Sequence, residues 1–301
     1  MKIAVFFVGE VRDAGFNASA LAGADVATAE GLAEISIISG VRYDQDAIRA
    51  RLAEVVPEVD GLVFIGGQGN ITTPEIAAQY PGKKFAIVQG QKTGPNLASY
   101  DVLQEDSAFL AGALAARLTQ SGTVGHLSGH RVPPGLKGRA AFVAGARQAN
   151  PDIQVLTGFC GTQDDRTVTK AWAAAEISAG ADIIFTMLND ARSGAIEACR
   201  EGRARQIGNA MDWVEVDPEV FIASAIARID LGVKGAIKDM VAGIIPDTPV
   251  HLGLAQGDFA SLSMGGDVLD VHKEYIAKIA QDIRNGTCTV PNTYDGPEFQ
   301  P

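Results

Sequence analysis

Residues 1–20, MKIAVFFVGEVRDAGFNASA, predict a buried strand, a short polar turn and a helix. The apolar run over residues 3–8 is typical of a strand covered on both faces, and it stops at Gly9. A helix rich in alanine and glycine is expected over about residues 16–30. Because small ligands bind at the carboxyl ends of strands in open α/β sheets, Phe16 and Asn17 are candidate contacts for a flat, hydrogen-bonding molecule. Phe16 could equally be only the first core residue of its helix.

The alternation of strand and helix runs through the first 120 residues and then restarts at residue 123. This alternation predicts parallel sheets with helices on both faces. We expect one lobe over residues 1–120 with a return segment near 250–285, a second lobe over 121–249, and a tail over 286–301. The natural boundary lies near Gly122, residues 252–264 resemble a returning hairpin, and a cleft is expected between the lobes.

Length and composition favour a two-lobed globular protein. A chain of 301 residues is long for a single hydrophobic core. Its net charge of −11, spread over both halves, disfavours a nucleic acid as partner. No apolar run approaches the roughly 18 residues of a membrane span.

No charged-then-apolar leader precedes the first strand, so either a leader has been removed or the protein stays in the cytosol. Three cysteines, Cys160, Cys199 and Cys288, lack metal-ligand spacing and leave the compartment open.

A glycine-rich turn, Gly66-Gly67-Gln68-Gly69-Asn70, stands between a predicted strand and a predicted helix. It lacks the G-x-G-x-x-G spacing of a dinucleotide site and the acidic residue expected about 20 positions later. Its glycines could instead let backbone amides, with Gln68 and Asn70, approach a small ligand. A plain tight turn is the alternative.

Polar or aromatic side chains also follow two strands of the second half. Asn189 and Asp190 come after one strand, and Asp212 and Trp213 come after the next. Trp213 could add an aromatic wall to a binding site. Capping and turn formation are the competing explanations, since short polar residues serve both purposes routinely. The coincidence of several such loops on one sheet edge favours a binding site.

No catalytic, metal or cofactor pattern is recognisable. Asp13 and the Asp164-Asp165 pair stand at strand ends, but no spacing pairs an acid with a base, and the pair is expected to cap the next helix. His126 and His130 lie on a strand and its loop, a geometry that would not bring both rings to one metal, so structural or surface roles are favoured. We therefore expect a protein that is not an enzyme and carries no cofactor.

Five sequence blocks occur in an order and spacing far more specific than any one of them. The blocks are GEVRDAGFN at 9–17, YPGKKFAIV at 80–88, NLASY at 96–100 with EDSAFLAG at 105–112, GRAAFVAG at 138–145 with NPD at 150–152, and GADIIF at 180–185. In this order they resemble the basic membrane protein family, the purine-nucleoside receptors among bacterial substrate-binding proteins. The first block is similar to the family's opening G-x-x-x-D-x-G-F-N, which includes Asp13.

The resemblance implies a type I periplasmic-binding-protein fold, in which two Rossmann-like lobes with parallel sheets are joined by three strands and close over the ligand. It also implies a purine base or nucleoside as cargo, passed to the permease of an ABC transporter, and a periplasmic or cell-surface location if the chain is exported. Phe16 and Asn17 match the aromatic and the amide that hold the base. Asp212 falls in the aspartate region near the hinge.

Departures from the family pattern change the expected ligand. Gln163 stands where the family commonly has an aromatic residue before Asp-Pro, so half of the aromatic sandwich is lost or supplied elsewhere. A ribose-contacting lysine falls near Ala227, and GNAMD at 208–212 replaces Gly-Val-Asp-x-Asp. Without that lysine a full nucleoside loses a hydrogen-bonding partner, which favours a free base or another flat heterocycle. The alternative function is a cytosolic ligand sensor, or an enzyme acting on a related heterocycle, on the same scaffold.

Overall fold

The computed structural model describes residues 1–12 and 15–301 and divides into two compact units. The first unit contains Met1–Val102 and Arg228–Leu252, and the second contains Leu103–Ala227 and Gly253–Pro301. The chain therefore passes from one unit to the other three times. Asp13, a candidate site residue, lies outside the described residues.

The described residues form twelve strands, nine α-helices and one 3-10 turn, Val56–Glu58. In chain order the first elements are β1 (Lys2–Val8), α1 (Phe16–Ala29), β2 (Glu34–Val41), α2 (Gln45–Val55), β3 (Gly61–Ile65), α3 (Gly69–Gln79), β4 (Lys84–Val88), β5 (Leu97–Val102) and α4 (Gln104–Leu118). The remaining elements are β6 (Thr123–Ser128), α5 (Pro133–Ala149), β7 (Gln154–Phe159), α6 (Arg166–Ser178), β8 (Ile183–Met187), α7 (Arg192–Gly202), β9 (Arg205–Ala210), β10 (Phe221–Ala227), α8 (Ile229–Ala242), β11 (Val250–Leu252), β12 (Ala260–Met264) and α9 (Asp270–Arg284).

The first unit is built on a six-stranded sheet in the order β11-β5-β4-β3-β1-β2, with every neighbouring pair parallel. Residues 3–8 of β1 are all buried, as expected for a strand covered on both faces. Phe6 and Phe64 stack in the core with ring centroids 5.1 Å apart, and α2 and α3 contribute side chains to the same cluster. Helix α8 packs against α1 and against β3, β4 and β5.

The second unit is built on a six-stranded sheet in the order β12-β10-β9-β8-β6-β7. All neighbours are parallel except β10 and β12, which pair antiparallel. Helices α4 and α5 pack very closely at Gly112 and Gly145, where any side-chain carbon would overlap a carbonyl oxygen of the other helix. Glycine at both positions is therefore needed for the two backbones to meet.

The units divide the chain differently from the lobes expected on the sequence. Helix α4 precedes the boundary expected near residue 122, yet it belongs to the second unit because it packs on α5, β10 and α9. Residues 252–264 do not form a hairpin: β11 pairs parallel with β5, whereas β12 pairs with β10 in the other sheet. Helix α9 also lies in the second unit, since its apolar face, which includes Ile276 and Ile279, joins the core around α4.

Helix α3 begins at Gly69, within the glycine-rich turn, so that Pro74 lies inside the helix. The backbone N–H groups of Gly69 and Asn70 bond back to the carbonyls of Gly66 and Gly67, which builds the first turn ahead of the proline. Among the described residues, no helix combines the length and the apolar character needed to cross a bilayer.

Candidate functional site

The carboxyl ends of β1, β3 and β4 are neighbours in the first sheet, and we call them and the loops that follow them the first edge. Phe16, the first residue of α1, is half-buried there, and its ring lies 3.9 Å from the position that a side-chain carbon would take at Gly66. Asn17 is only 3% exposed, and its Nδ2 donates to the carbonyls of Val8 and Glu10, each at 2.9 Å. The Asn17 side chain therefore connects the start of α1 to the end of β1 and to Glu10.

The glycine-rich turn also lies at the first edge, and its polar residues make contacts within the chain. Gly66 has a φ of +107°, a conformation that favours glycine. Asn70 donates from Nδ2 to the carbonyl of Gly67 at 2.9 Å and accepts from the N–H of Gln91 at 2.7 Å. Gln68 is half-buried, with Oε1 close to Gly66. Through these two hydrogen bonds, Asn70 connects the turn after β3 to the loop after β4.

Gln89, the residue directly after β4, was not singled out by its sequence context. Its φ of +67° is a strained, left-handed conformation for a residue other than glycine. It is 1% exposed, and its Oε1 accepts from the N–H of Val102 at 2.8 Å. Its Nε2 is buried and has no hydrogen-bond partner among the described residues. Strain together with an unpaired buried donor marks a position that packing alone does not explain.

The carboxyl ends of β6, β7, β8 and β9 and their loops form the corresponding second edge, in the second unit. Gln163 accepts at Oε1 from the N–H of Asn189 at 3.2 Å, and its carbonyl accepts from the N–H of Ala191 at 3.0 Å. It therefore ties the loop after β7 to the loop after β8. Asp190 is exposed, and Asp212 accepts from the N–H of Val214 at 3.1 Å, a turn-forming contact.

A buried arginine joins the ends of β8 and β9. Arg192 is 1% exposed and donates from Nη1 to the hydroxyl of Thr186 at 2.7 Å and from Nη2 to Leu188 O and Asn209 Oδ1. Its guanidinium carbon lies 4.6 Å from the ring centroid of Trp213. Trp213 is itself 8% exposed and packs on Phe221 in the core. Nothing in the spacing of the sequence signalled this role for Arg192, since one buried cation creates no periodic pattern.

The histidine and aspartate expected to be structural have structural contacts. His126 is fully buried, its ring nitrogens lie 2.9 Å from the hydroxyls of Thr157 and Ser128, and burial lowers its pKa to about 3. Asp165 caps α6 by accepting from the N–H groups of residues 167 and 168. Over residues 1–12 and 15–301, no group of three or more His, Cys, Asp or Glu side chains could hold a metal ion.

A protein-family model described as "ABC transporter substrate-binding protein PnrA-like", with the short name Bmp, matches residues 1–252. The chain belongs to this family. The match confirms the resemblance to the basic membrane proteins. Because the family consists of substrate-binding proteins, it also confirms that the chain is a binding protein rather than an enzyme.

Relatives of this chain are distant but align over much of its length. An uncharacterized lipoprotein of Pyrococcus furiosus is 26% identical over 94% of this chain and 78% of that protein. A purine-binding protein of Brucella abortus is 25% identical over 64% of this chain and 55% of that protein. The ABC transporter nucleoside-binding protein BmpA of Lactococcus lactis is 24% identical over 77% and 71%, respectively.

Solved structures show the fold. An ABC transporter solute-binding protein from Aeropyrum pernix superimposes with a TM-score of 0.85 at 22% identity, covering 98% of this chain and 94% of that one. The prediction of an α/β protein with the type I periplasmic-binding-protein fold is thereby confirmed.

Proposed function

We propose that this protein captures a purine base, a purine nucleoside or a similar flat heterocycle and delivers it to an ABC transporter. The observation that carries the ligand class is the half-buried ring of Phe16 at the first edge, beside a glycine turn with little side-chain bulk. The names of the Brucella and Lactococcus relatives support the same class. In this proposal Phe16 stacks on the ligand, and Asn17 connects the start of α1, which carries the ring, to the end of β1.

In this proposal, Gln68 and Gln89 supply the side chains that form hydrogen bonds with the ligand at the first edge. The buried Nε2 of Gln89 is a donor that the described residues leave without a partner. Stacking on an aromatic ring contributes about 1–3 kcal/mol per base. Several hydrogen bonds of about 1 kcal/mol net each, added to stacking, bring the expected dissociation constant into the micromolar range or below.

One feature of the second unit favours a free base over a nucleoside. Ala227, near which the family's ribose-contacting lysine falls, is 1% exposed and supplies no cation. A ribose would therefore find fewer partners here than the family pattern provides. We propose that nucleosides bind more weakly than the corresponding bases.

The proposed location is outside the cytoplasmic membrane, where a transporter-linked binding protein meets its ligand. The P. furiosus relative, which is named a lipoprotein, supports this placement.

Isothermal titration calorimetry against purine bases and purine nucleosides tests the ligand class, with ribose, glucose and an amino acid as controls. We expect binding of at least one purine compound and none of the controls. Phe16→Leu should weaken that binding by roughly five- to a hundredfold, because the stacking face is lost. Tyr275→Leu, which removes a half-buried ring on α9, serves as the matched control and should leave affinity unchanged. No heat from any purine compound, or equal affinity in the Phe16 and Tyr275 variants, would overturn the proposal.

A further inference from the structure

Residues 286–301 belong to the second unit and lie beyond the residues that the family model matches. Strand β7 is the outermost strand of its sheet, so one side of it has no neighbouring strand among the described residues. Phe299 donates its backbone N–H to the carbonyl of Thr157 in β7 at 2.8 Å, and its side chain packs against the hydrophobic cluster between this sheet and α6 and α7. The tail over residues 286–301 is therefore docked on an exposed strand edge.

The tail places a carboxylate between two arginines, an arrangement we call the arginine clamp. Glu298 pairs with Arg131, in the loop before α5, and with Arg139, on α5 itself. Both guanidinium groups also lie over the ring of Phe159, with their carbons 4.8 and 5.0 Å from its centroid. The ring of Tyr294 lies under Arg139 at 4.9 Å. The two arginines lower the pKa of Glu298, which keeps its carboxylate ionised.

Arg131 lies in the loop after β6, which is part of the second edge and contacts the loop after β7. In the loop after β6, the carbonyl of Gly129 accepts from the N–H of Gly161 at 3.1 Å. A side chain at Gly129 would collide with Gln163, so the two loops are in close contact. Gln163 in turn accepts from the N–H of Asn189. A continuous set of contacts thus leads from Glu298 to the loops after β7 and β8.

Removing the carboxylate should loosen this set of contacts. Without Glu298, two like charges would remain within 5.0 Å of the same ring centroid with no anion between them. Arg131 is the freer of the two, since its side chain is 53% exposed whereas that of Arg139 is 7% exposed. Repulsion would therefore move Arg131 and the loop that carries it.

We propose that Glu298 is a positioning residue for ligand binding. Docking of the tail fixes residues 129–132, and through them Gln163 and Asn189, in the arrangement that accepts a ligand. The ligand part of this inference rests on the proposed function, whereas the coupling of the tail to the loops does not depend on the ligand's identity.

Hydrogen exchange of the full, unliganded chain tests the coupling. Glu298→Gln should speed amide exchange at residues 129–132 and 160–163 roughly three- to tenfold, since a charge-assisted bond becomes a neutral one. Asp295→Asn is the matched control, because it removes the same charge from an exposed position of the same tail. Equal exchange in the two variants would overturn the proposal.

A double-mutant cycle separates the arginine clamp from general loosening. Arg131→Met should speed exchange at the same amides, and adding Glu298→Gln to it should change little further. Fully additive effects would show that Glu298 acts independently of Arg131 and would overturn the proposal.

Affinity for a purine compound completes the test. Glu298→Gln should weaken binding roughly three- to tenfold, whereas Asp295→Asn should not. If Glu298→Gln speeds amide exchange but leaves the affinity for the purine compound unchanged, the tail stabilises the loops without affecting ligand binding, and the positioning role is refuted. If the unmodified protein binds no purine compound, the proposed function fails, while the exchange experiments still decide whether the tail controls the loops.

Discussion

Replacing Arg192 with methionine should destabilise the second unit far more than any exposed arginine substitution. The guanidinium of Arg192 donates to Thr186 in β8, to Leu188 in the loop directly after β8, and to Asn209 in β9. Methionine fills similar space but donates nothing. Buried acceptors would then remain unpaired at the ends of both β8 and β9.

The expected cost follows from the burial of this group. A hydrogen bond to a charged group contributes about 1.5–3 kcal/mol, and several bonds from one guanidinium are not additive. Loss of the desolvation cost of the cation offsets part of the damage. We therefore expect a loss of about 3 kcal/mol or more in the free energy of unfolding. For a unit of this size that corresponds to a fall of about 6–12 °C in the midpoint of thermal unfolding.

Thermal unfolding followed by calorimetry measures this loss, and Arg200→Met on the same helix provides the control. The Arg200 side chain is 55% exposed and pairs with Asp217, so its removal should cost about 1 kcal/mol or less. Tryptophan fluorescence in a Trp172→Phe background, where Trp213 is the remaining tryptophan, offers a second readout, because Arg192 lies on its ring. Equal unfolding temperatures for the two variants, with unchanged Trp213 emission, would refute the role assigned to Arg192.

Two further substitutions test buried polar groups. Asn17→Asp keeps the shape of the side chain but loses both N–H donors toward the carbonyls of Val8 and Glu10, so urea unfolding should show a loss of about 2–3 kcal/mol in the free energy of unfolding. The control, Asn292→Asp at an exposed position, should change the free energy of unfolding by close to zero. An equal loss in the two variants would contradict the role of Asn17 in connecting α1 to β1 and Glu10. Glu176 is fully buried, and burial raises its pKa well above the usual value. Above the ordinary carboxyl range, the native state therefore still binds a proton at Glu176 that the unfolded chain has released. Because of this difference, the free energy of unfolding falls as pH rises above that range. Glu176→Gln should therefore unfold at higher urea than the unmodified protein at pH 8 and show a weaker pH dependence; parallel pH profiles would contradict this.

Local patterns in the sequence predict most of the secondary structure but not the assignment of its last strands. The buried run at residues 3–8 and the cap at Asp165 are features of a few consecutive residues, and both are confirmed. Strands β11 and β12 are short and separated by one loop, which is typical of a hairpin. Their membership of different sheets depends on pairing with β5 and β10, which are far away in sequence.

The candidate site was predictable as a set of loops, but not in the roles of its side chains. Strand ends indicated where Phe16 and Asn189 would lie, and the family resemblance singled out Gln163. Hydrogen bonds inside the chain decide what each side chain has left to offer, and these depend on the three-dimensional contacts. Gln89 and Arg192 have unusual properties, a strained backbone in one and a buried charge in the other, that arise only from tertiary packing.

Native mass spectrometry of the protein as it is isolated from its expression host tests the proposed ligand class most directly. We predict a bound small molecule whose mass and fragmentation identify a purine base, a purine nucleoside or a closely related heterocycle, and whose occupancy falls in Phe16→Leu. A retained sugar or amino acid, or equal occupancy of a purine in the Phe16→Leu variant, would contradict the stacking role of Phe16 and the ligand class built on it.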